Sequence, residues 1–257
     1  MTPERIAVGI VAGFAAGLLS GAFGVGGGII TTPVIAVLLG GTPIQAIATP
    51  LPVIFPTAIV GANNYRRAGQ LSLRAAGWAI GPGCVGAVVG AQLTEVINAH
   101  SLLLVTAVLL AWQAVRVIIG HETPERPRGS PPGWQYALAG LAAGLVSGLL
   151  GVGGGIVMVP LLTGLLGMPL KRALGTSLLI IVVLVIPGTI VHAWHGNIDW
   201  GIAAVLAVGV SPGAWIGSKI ALTAKDRTLR IAVGSFLMAV AVAYGSLELA
   251  HLVGWTT

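Results

Sequence analysis

The sequence predicts an all-α polytopic membrane protein made of two inverted repeats of five helical segments each, roughly 8–10 of them transmembrane. Three observations carry that expectation. Hydrophobic residues fill 56% of the 257 positions and charged residues only 8%, against about a quarter charged in a soluble domain. The stretch GAFGVGGGIITTP (21–33) returns as GLLGVGGGIVMVP (148–160), a constant shift of 127 positions from Gly24 to Gly151. That register also pairs Gly13 with Gly140, Ser20 with Ser147, Thr49 with Thr176, Gly61 with Gly188 and Gly90 with Gly217, too long a match for chance. Finally, every Lys and Arg except Arg5 falls on one side of the chain threading these segments imply.

The first repeat (1–119) opens with an apolar segment near Ile6–Ala22. Arg5 ahead of it imitates a signal peptide, but no small-x-small cleavage site follows and the stretch belongs to the repeat, so it is expected in the mature protein. Gly13, Gly17 and Gly21, four apart, form a small-xxx-small packing face, and Gly140, Gly144 and Gly148 repeat it. Segment two, Ile29–Leu39, has only about 11 residues, which at ~1.5 Å each cover half of a ~30 Å hydrocarbon core. It is expected to be a broken or re-entrant helix ending near the midplane. Segments three, four and five (Ile44–Tyr65, Leu73–Ile97 and Leu102–Ile119) are apolar and long enough to cross. The stretch 120–133, GHETPERPRGSPPG, is rich in proline and charge and reads as an extramembrane linker. The second repeat (134–257) follows the same plan: Trp134–Leu150, the short Ile156–Leu166, then Leu170–Trp194, Ile198–Leu222 and Leu229–Val253.

An odd number of segments per repeat starts the second copy from the opposite membrane face, the inverted arrangement of many secondary transporters. The basic residues agree with it: twelve of thirteen lie on the linker side. The positive-inside rule then places the linker in the cytoplasm and both termini outside, as expected of a bacterial inner-membrane protein. The formal charge of +6 is spread over short loops without aromatic interleaving, so it reads as a topology signal and not as a nucleic-acid surface. Cys84 is the single cysteine, which excludes an intramolecular disulfide.

The glycine loops are the candidate site. Three adjacent glycines destabilise a helix interior by roughly 1 kcal/mol each, and unwound backbone at membrane depth is tolerated only where it is packed in protein or lines a polar cavity. Gly24, Gly26, Gly27 and Gly28, with Gly151, Gly153, Gly154 and Gly155, each open a short helix. Their free amides and the positive helix end attract an anion. No Gly-Lys-Ser/Thr follows either loop, so a nucleotide P-loop is excluded. Thr49, Thr176, Ser177, Asn63 and Asn64 are further candidate donors to an oxyanion, with hydrogen bonding to helix carbonyls as their competing role. His192 and His195, spaced i to i+3, are candidates for coupling. No carboxylate occupies a segment centre, and no Cys/His/Asp set has ligand or catalytic spacing, so neither an acid relay, a metal nor an enzyme is expected. No cofactor is expected beyond a coupling ion, H⁺ or Na⁺.

The doubled G-x-G-G-G loops with their following prolines, ALGTSL (173–178) with its partner AIATPL (46–51), HGNIDW (195–200) and SPGAWIGSKI (211–220) together resemble the TauE/SafE family of membrane permeases, often called sulfite exporters. The resemblance covers nearly the whole chain. It implies transport of sulfite, sulfonates or related organic anions, with the bilayer and a small anion as the only partners; it sets no oligomeric state. The first copy has Thr49-Pro50 where the second has Thr176-Ser177, and Asn63-Asn64-Tyr65 where the second has Ile190-Val191-His192. Identical contacts from the two halves are therefore not expected. An anion channel, a permease for a carboxylate, and a membrane assembly factor that binds no small anion are the alternatives.

Overall fold

The computed structural model describes residues 3–94, 96–97 and 131–229, with single positions between 108 and 115 and between 231 and 242. Most of segments five and ten and all of linker positions 120–130 fall outside the described residues, as does Glu95. The described chain is helical: α1 (Pro3–Phe23), α2 (Gly28–Pro33), α3 (Pro43–Ala48), α4 (Pro50–Arg67), α5 (Leu73–Thr94), α6 (Gly133–Leu150), α7 (Gly155–Pro160), α8 (Leu170–Trp194) and α9 (Trp200–Thr223).

Among the described residues, six helices are long and apolar enough to cross a bilayer: α1, α3 with α4 as one run (Pro43–Arg67), α5, α6, α8 and α9. Local chemistry sets their starts. Thr42 caps α3 reciprocally with Gln45, the Gln45 amide donating to Thr42 Oγ1 at 3.3 Å and the Thr42 amide to Gln45 Oε1 at 3.0 Å. Asp199 Oδ1 accepts from the Ile202 amide at 2.9 Å to cap α9. The two short helices continue past Pro33 and Pro160 as single π turns, Val34–Leu38 and Leu161–Leu165. A proline inside a helix has no N–H to donate, and the widened turns close with Leu39 and Leu166 amides on the Val34 and Leu161 carbonyls, at 2.9 and 3.0 Å. Gly40 and Gly167 then stop both runs in the left-handed region. Each run, Gly28–Leu38 and Gly155–Leu165, is thus a short apolar helix. Gly40 lies beside the Arg5 guanidinium, so the first short run returns to the face where α1 begins.

Each repeat borrows its neighbours from the other. Gly13, Gly17 and Gly21 of α1 lie against the backbone of Leu206, Val210 and Ala214 on α9, numbers rising together, so the two helices run parallel. Gly140, Gly144 and Gly148 of α6 lie in the same way on Ala79, Gly83 and Ala87 of α5. Close backbone approach through small residues is what the four-residue spacing provides. The helices α4 and α8 cross antiparallel: a Cβ on Gly61 would sit 2.8 Å from Leu178 Cδ1, and one on Gly188 3.5 Å from Leu51 Cδ1. Those two contacts interchange under the shift of 127. The central apolar cluster gathers Val25, Ile54 and Val152 with Leu51, Leu178 and Ile181. Two flanking clusters are likewise counterparts, one holding Ile35 and Leu39, the other Leu162 and Leu166.

Candidate functional site

Each glycine loop begins where a helix is closed off. The Gly24 amide donates to the Ser20 carbonyl at 2.8 Å and the Gly151 amide to the Ser147 carbonyl at 3.0 Å. The backbone then turns left-handed at Gly24 (φ 63°) and Gly26 (φ 81°), and at Gly151 (φ 66°) and Gly153 (φ 83°), a conformation that costs glycine little and other residues much. Helical bonding resumes with the Thr31 and Met158 amides on the carbonyls of Gly27 and Gly154. In between, among the described residues, no carbonyl accepts from the amides of Val25, Gly26, Gly27, Gly28 and Ile29, nor from those of Val152, Gly153, Gly154, Gly155 and Ile156.

The structure brings the two loops together. A Cβ on Gly28 would fall 2.6 Å from the Gly151 carbonyl oxygen and 2.7 Å from Val152 Cα; one on Gly155 would fall 2.5 Å from both the Gly24 carbonyl oxygen and Val25 Cα. Ile54 of α4 reaches both loops, 3.6 Å from such a position on Gly26 and 3.1 Å on Gly153. In this conformation the two helix starts touch, with Val25, Ile54 and Val152 filling the crossing.

The loops are not the same shape. Gly27 is right-handed (φ −69°, ψ −9°), whereas Gly154 is left-handed (φ 73°, ψ −9°). Around Gly27 the nearest atom to an added Cβ is 3.8 Å away, on Ala16; around Gly154 the carbonyl of Ala143, the counterpart of Ala16, lies inside contact distance and Ser147 Cβ at 3.3 Å. Beside the first loop lies a cavity of about 10 Å³, bounded by Ala16, Leu19, Ser20 and Phe23 of α1 and by Val25, Gly26, Gly27, Ile29 and Ile30. That is room for about one water-sized atom.

The other sequence-predicted residues are distributed as follows. Ser177 reaches the first loop, donating to the Gly24 carbonyl at 2.9 Å. Thr49 Oγ1 accepts from the Asp199 amide at 3.1 Å, and Thr176 Oγ1 from the Ser72 amide at 2.9 Å. Both threonines therefore dock on the capping residue of a helix in the opposite repeat. Asn64 is spent on α9, donating to Ser218 Oγ at 2.7 Å and the Trp215 carbonyl at 3.3 Å; Asn63 Oδ1 accepts from Arg66. His192, fully buried, donates from Nε2 to the Gly148 carbonyl at 3.1 Å, just ahead of the second loop. His195 donates from Nδ1 to the Val191 carbonyl at the exposed end of α8.

Sequence reasoning missed three residues. Tyr65, the counterpart of His192, donates to the Gly21 carbonyl at 3.2 Å, the counterpart of Gly148. Where the halves were expected to differ, they perform one task with different side chains. Ser20 and Ser147 are buried beneath the two loops, and neither hydroxyl has a hydrogen-bond partner among the described residues; Thr32 shares that state. The serines were visible in the sequence as a repeat match, but nothing there distinguishes a bonded helix hydroxyl from an unbonded one.

Residues 9–244 match the model of a protein family described as "Sulfite exporter TauE/SafE". Among curated proteins, the chain is 30% identical to a "Probable membrane transporter protein" of Xylella fastidiosa (strain Temecula1), with 92% of each chain covered. It is 29% identical to the "Probable membrane transporter protein YunE" of Bacillus subtilis (strain 168), over 82% of this chain and 85% of that one. No solved structure matches.

Proposed function

Because the chain belongs to the TauE/SafE sulfite exporter family, a family of membrane transporters, we propose that it is a secondary-type permease for small sulfur-containing anions such as sulfite or organosulfonates. The observation that supports this reading is the pair of glycine loops: each offers five successive amides without a carbonyl partner among the described residues, at the start of a short helix and buried. Buried donors left unpaired cost free energy, and the dipole at a helix start favours negative charge. A small anion satisfies both.

The same reading assigns the alternating-access step. The loops arrive from opposite ends of an antiparallel α4–α8 pair and touch at Gly28 and Gly155, so an anion crosses only when that contact opens. In this proposal the halves 1–119 and 134–257 are inverted repeats in a bacterial inner membrane, with the linker cytoplasmic and both termini outside. Arg66 and Arg67 at the end of α4 then face the cytoplasm, where they attract anions to the mouth. Coupling to H⁺ or Na⁺ belongs to the same proposal, with His192 and His195 as the proton-carrying candidates.

The test is a thermal-shift screen of purified protein against sulfite, thiosulfate, taurine-like and aromatic sulfonates and carboxylates, followed by flux in proteoliposomes. Stabilisation by a sulfur anion and saturable exchange of labelled anion are expected. A response to carboxylates alone overturns the substrate class, and flux that never saturates overturns the carrier in favour of a channel.

A further inference from the structure

We infer that the cavity between α1 and the first glycine loop is a subsite for one oxygen atom of the transported anion, with the Ser20 hydroxyl as its side-chain donor. The inference rests on the anion-permease reading and adds to it a residue, a place and a size.

Ser20 points there. Several buried hydroxyls on these helices donate to the carbonyl one turn back: Thr57 to Val53 at 2.8 Å, Thr94 to Gly90 at 3.1 Å and Ser218 to Ala214 at 2.7 Å. Ser20, only 2% exposed, makes no such bond. A buried hydroxyl without a partner is destabilising, and of the three in that state among the described residues, Ser20, Thr32 and Ser147, it is Ser20 that borders this cavity. The cavity, lined by Ser20, Gly26 and Gly27 together with the apolar Leu19, Phe23 and Ile30, supplies the position for a partner. Its volume of about 10 Å³ admits a single oxygen, so the rest of the ligand lies outside it.

The lining chooses the ligand's chemistry. Ser20 presents a hydroxyl that the helix has not used, and the loop presents amides that can only donate. No acidic side chain borders the space, which disfavours an ammonium group and suits an acceptor-only oxygen of a sulfite, sulfonate or carboxylate headgroup. The second repeat supplies the contrast: Ser147 is equally buried and equally unpartnered, but Gly154 lies against Ala143 and Ser147. The open subsite is therefore the one on the first loop.

The experiment compares full-length wild type with Ser20→Ala, Gly27→Ala and Ser147→Ala in detergent. Calorimetric binding of sulfite, methanesulfonate and acetate is measured alongside melting temperature. Ser20→Ala is expected to melt at or above wild type, because it deletes an unsatisfied hydroxyl, and to bind at least tenfold more weakly. Gly27→Ala puts a methyl into the cavity without strain and should weaken binding to a similar extent, with Ser147→Ala within twofold of wild type. Unchanged affinity in Ser20→Ala and Gly27→Ala overturns the subsite, and so does an equal loss in Ser147→Ala. If wild type binds only acetate and the two first-loop variants lose it, the subsite stands while the sulfur-anion reading falls. If wild type binds none of the three, both fall.

Discussion

Gly27 and Gly154 hold the same place in the two repeats but have opposite backbone hands, and their substitution by alanine separates them. Gly27→Ala meets nothing closer than 3.8 Å at an ordinary helical φ, so the protein is expected to melt within a few degrees of wild type. Gly154→Ala places a Cβ on a left-handed residue, a strain of about 1–2 kcal/mol, and drives it into Ala143, adding about 1–3 kcal/mol of overpacking. Thermal unfolding in detergent should show the second variant clearly destabilised and the first not. The spacing of glycines identified both loops, but the handedness at each is a property of packing against α1 or α6 and left no trace in the residue types. Thr49 and Thr176 show the same limit. Their hydroxyls suit an oxyanion, yet they accept from the Asp199 and Ser72 amides, a pairing that nothing in the residue types showed.

At the scale of the element, the short helices were legible because half-length apolar runs flanked by glycine have few other readings in a bilayer. Their π turns were not, since a proline in a helix is answered by a kink, a break or a widened turn according to its neighbours. Helix faces divide in the same way. On α5, Gly83, Gly86 and Gly90 lie on α6 or its partners, whereas Gly77 and Gly81 have no atom of the described residues within 4 Å of a would-be Cβ. Apart from matches in the repeat register such as Gly90 with Gly217, the sequence shows them alike. Gly17→Leu, which would thrust a side chain into Val210 on α9, should cost about 3 kcal/mol or more and give aggregated material on size exclusion. Gly77→Leu on the open face should elute and melt as wild type does.

For the whole molecule, orientation is the expectation most open to direct measurement. In a protein whose Cys84 has been replaced, Ser130→Cys should react with an impermeant thiol reagent only from the cytoplasm and Thr256→Cys only from outside; reversed labelling overturns the topology. The exchange of partners was not readable in the sequence, because a small-xxx-small face states that a helix packs closely without stating on what. That exchange bears on biogenesis. At synthesis rates of about 5–20 residues per second, α1 leaves the ribosome roughly 10–40 s before its partner α9, which lies near the far end of the chain. Until then the part of its glycine face that packs on α9 has no protein partner, so the first half is an orphan awaiting assembly, exposed to membrane quality control. Residues 1–119 expressed alone should be degraded in pulse-chase, and co-expression with 120–257 as a separate chain should restore both fragments. Survival of the lone first half would mean that it finds its stability within itself.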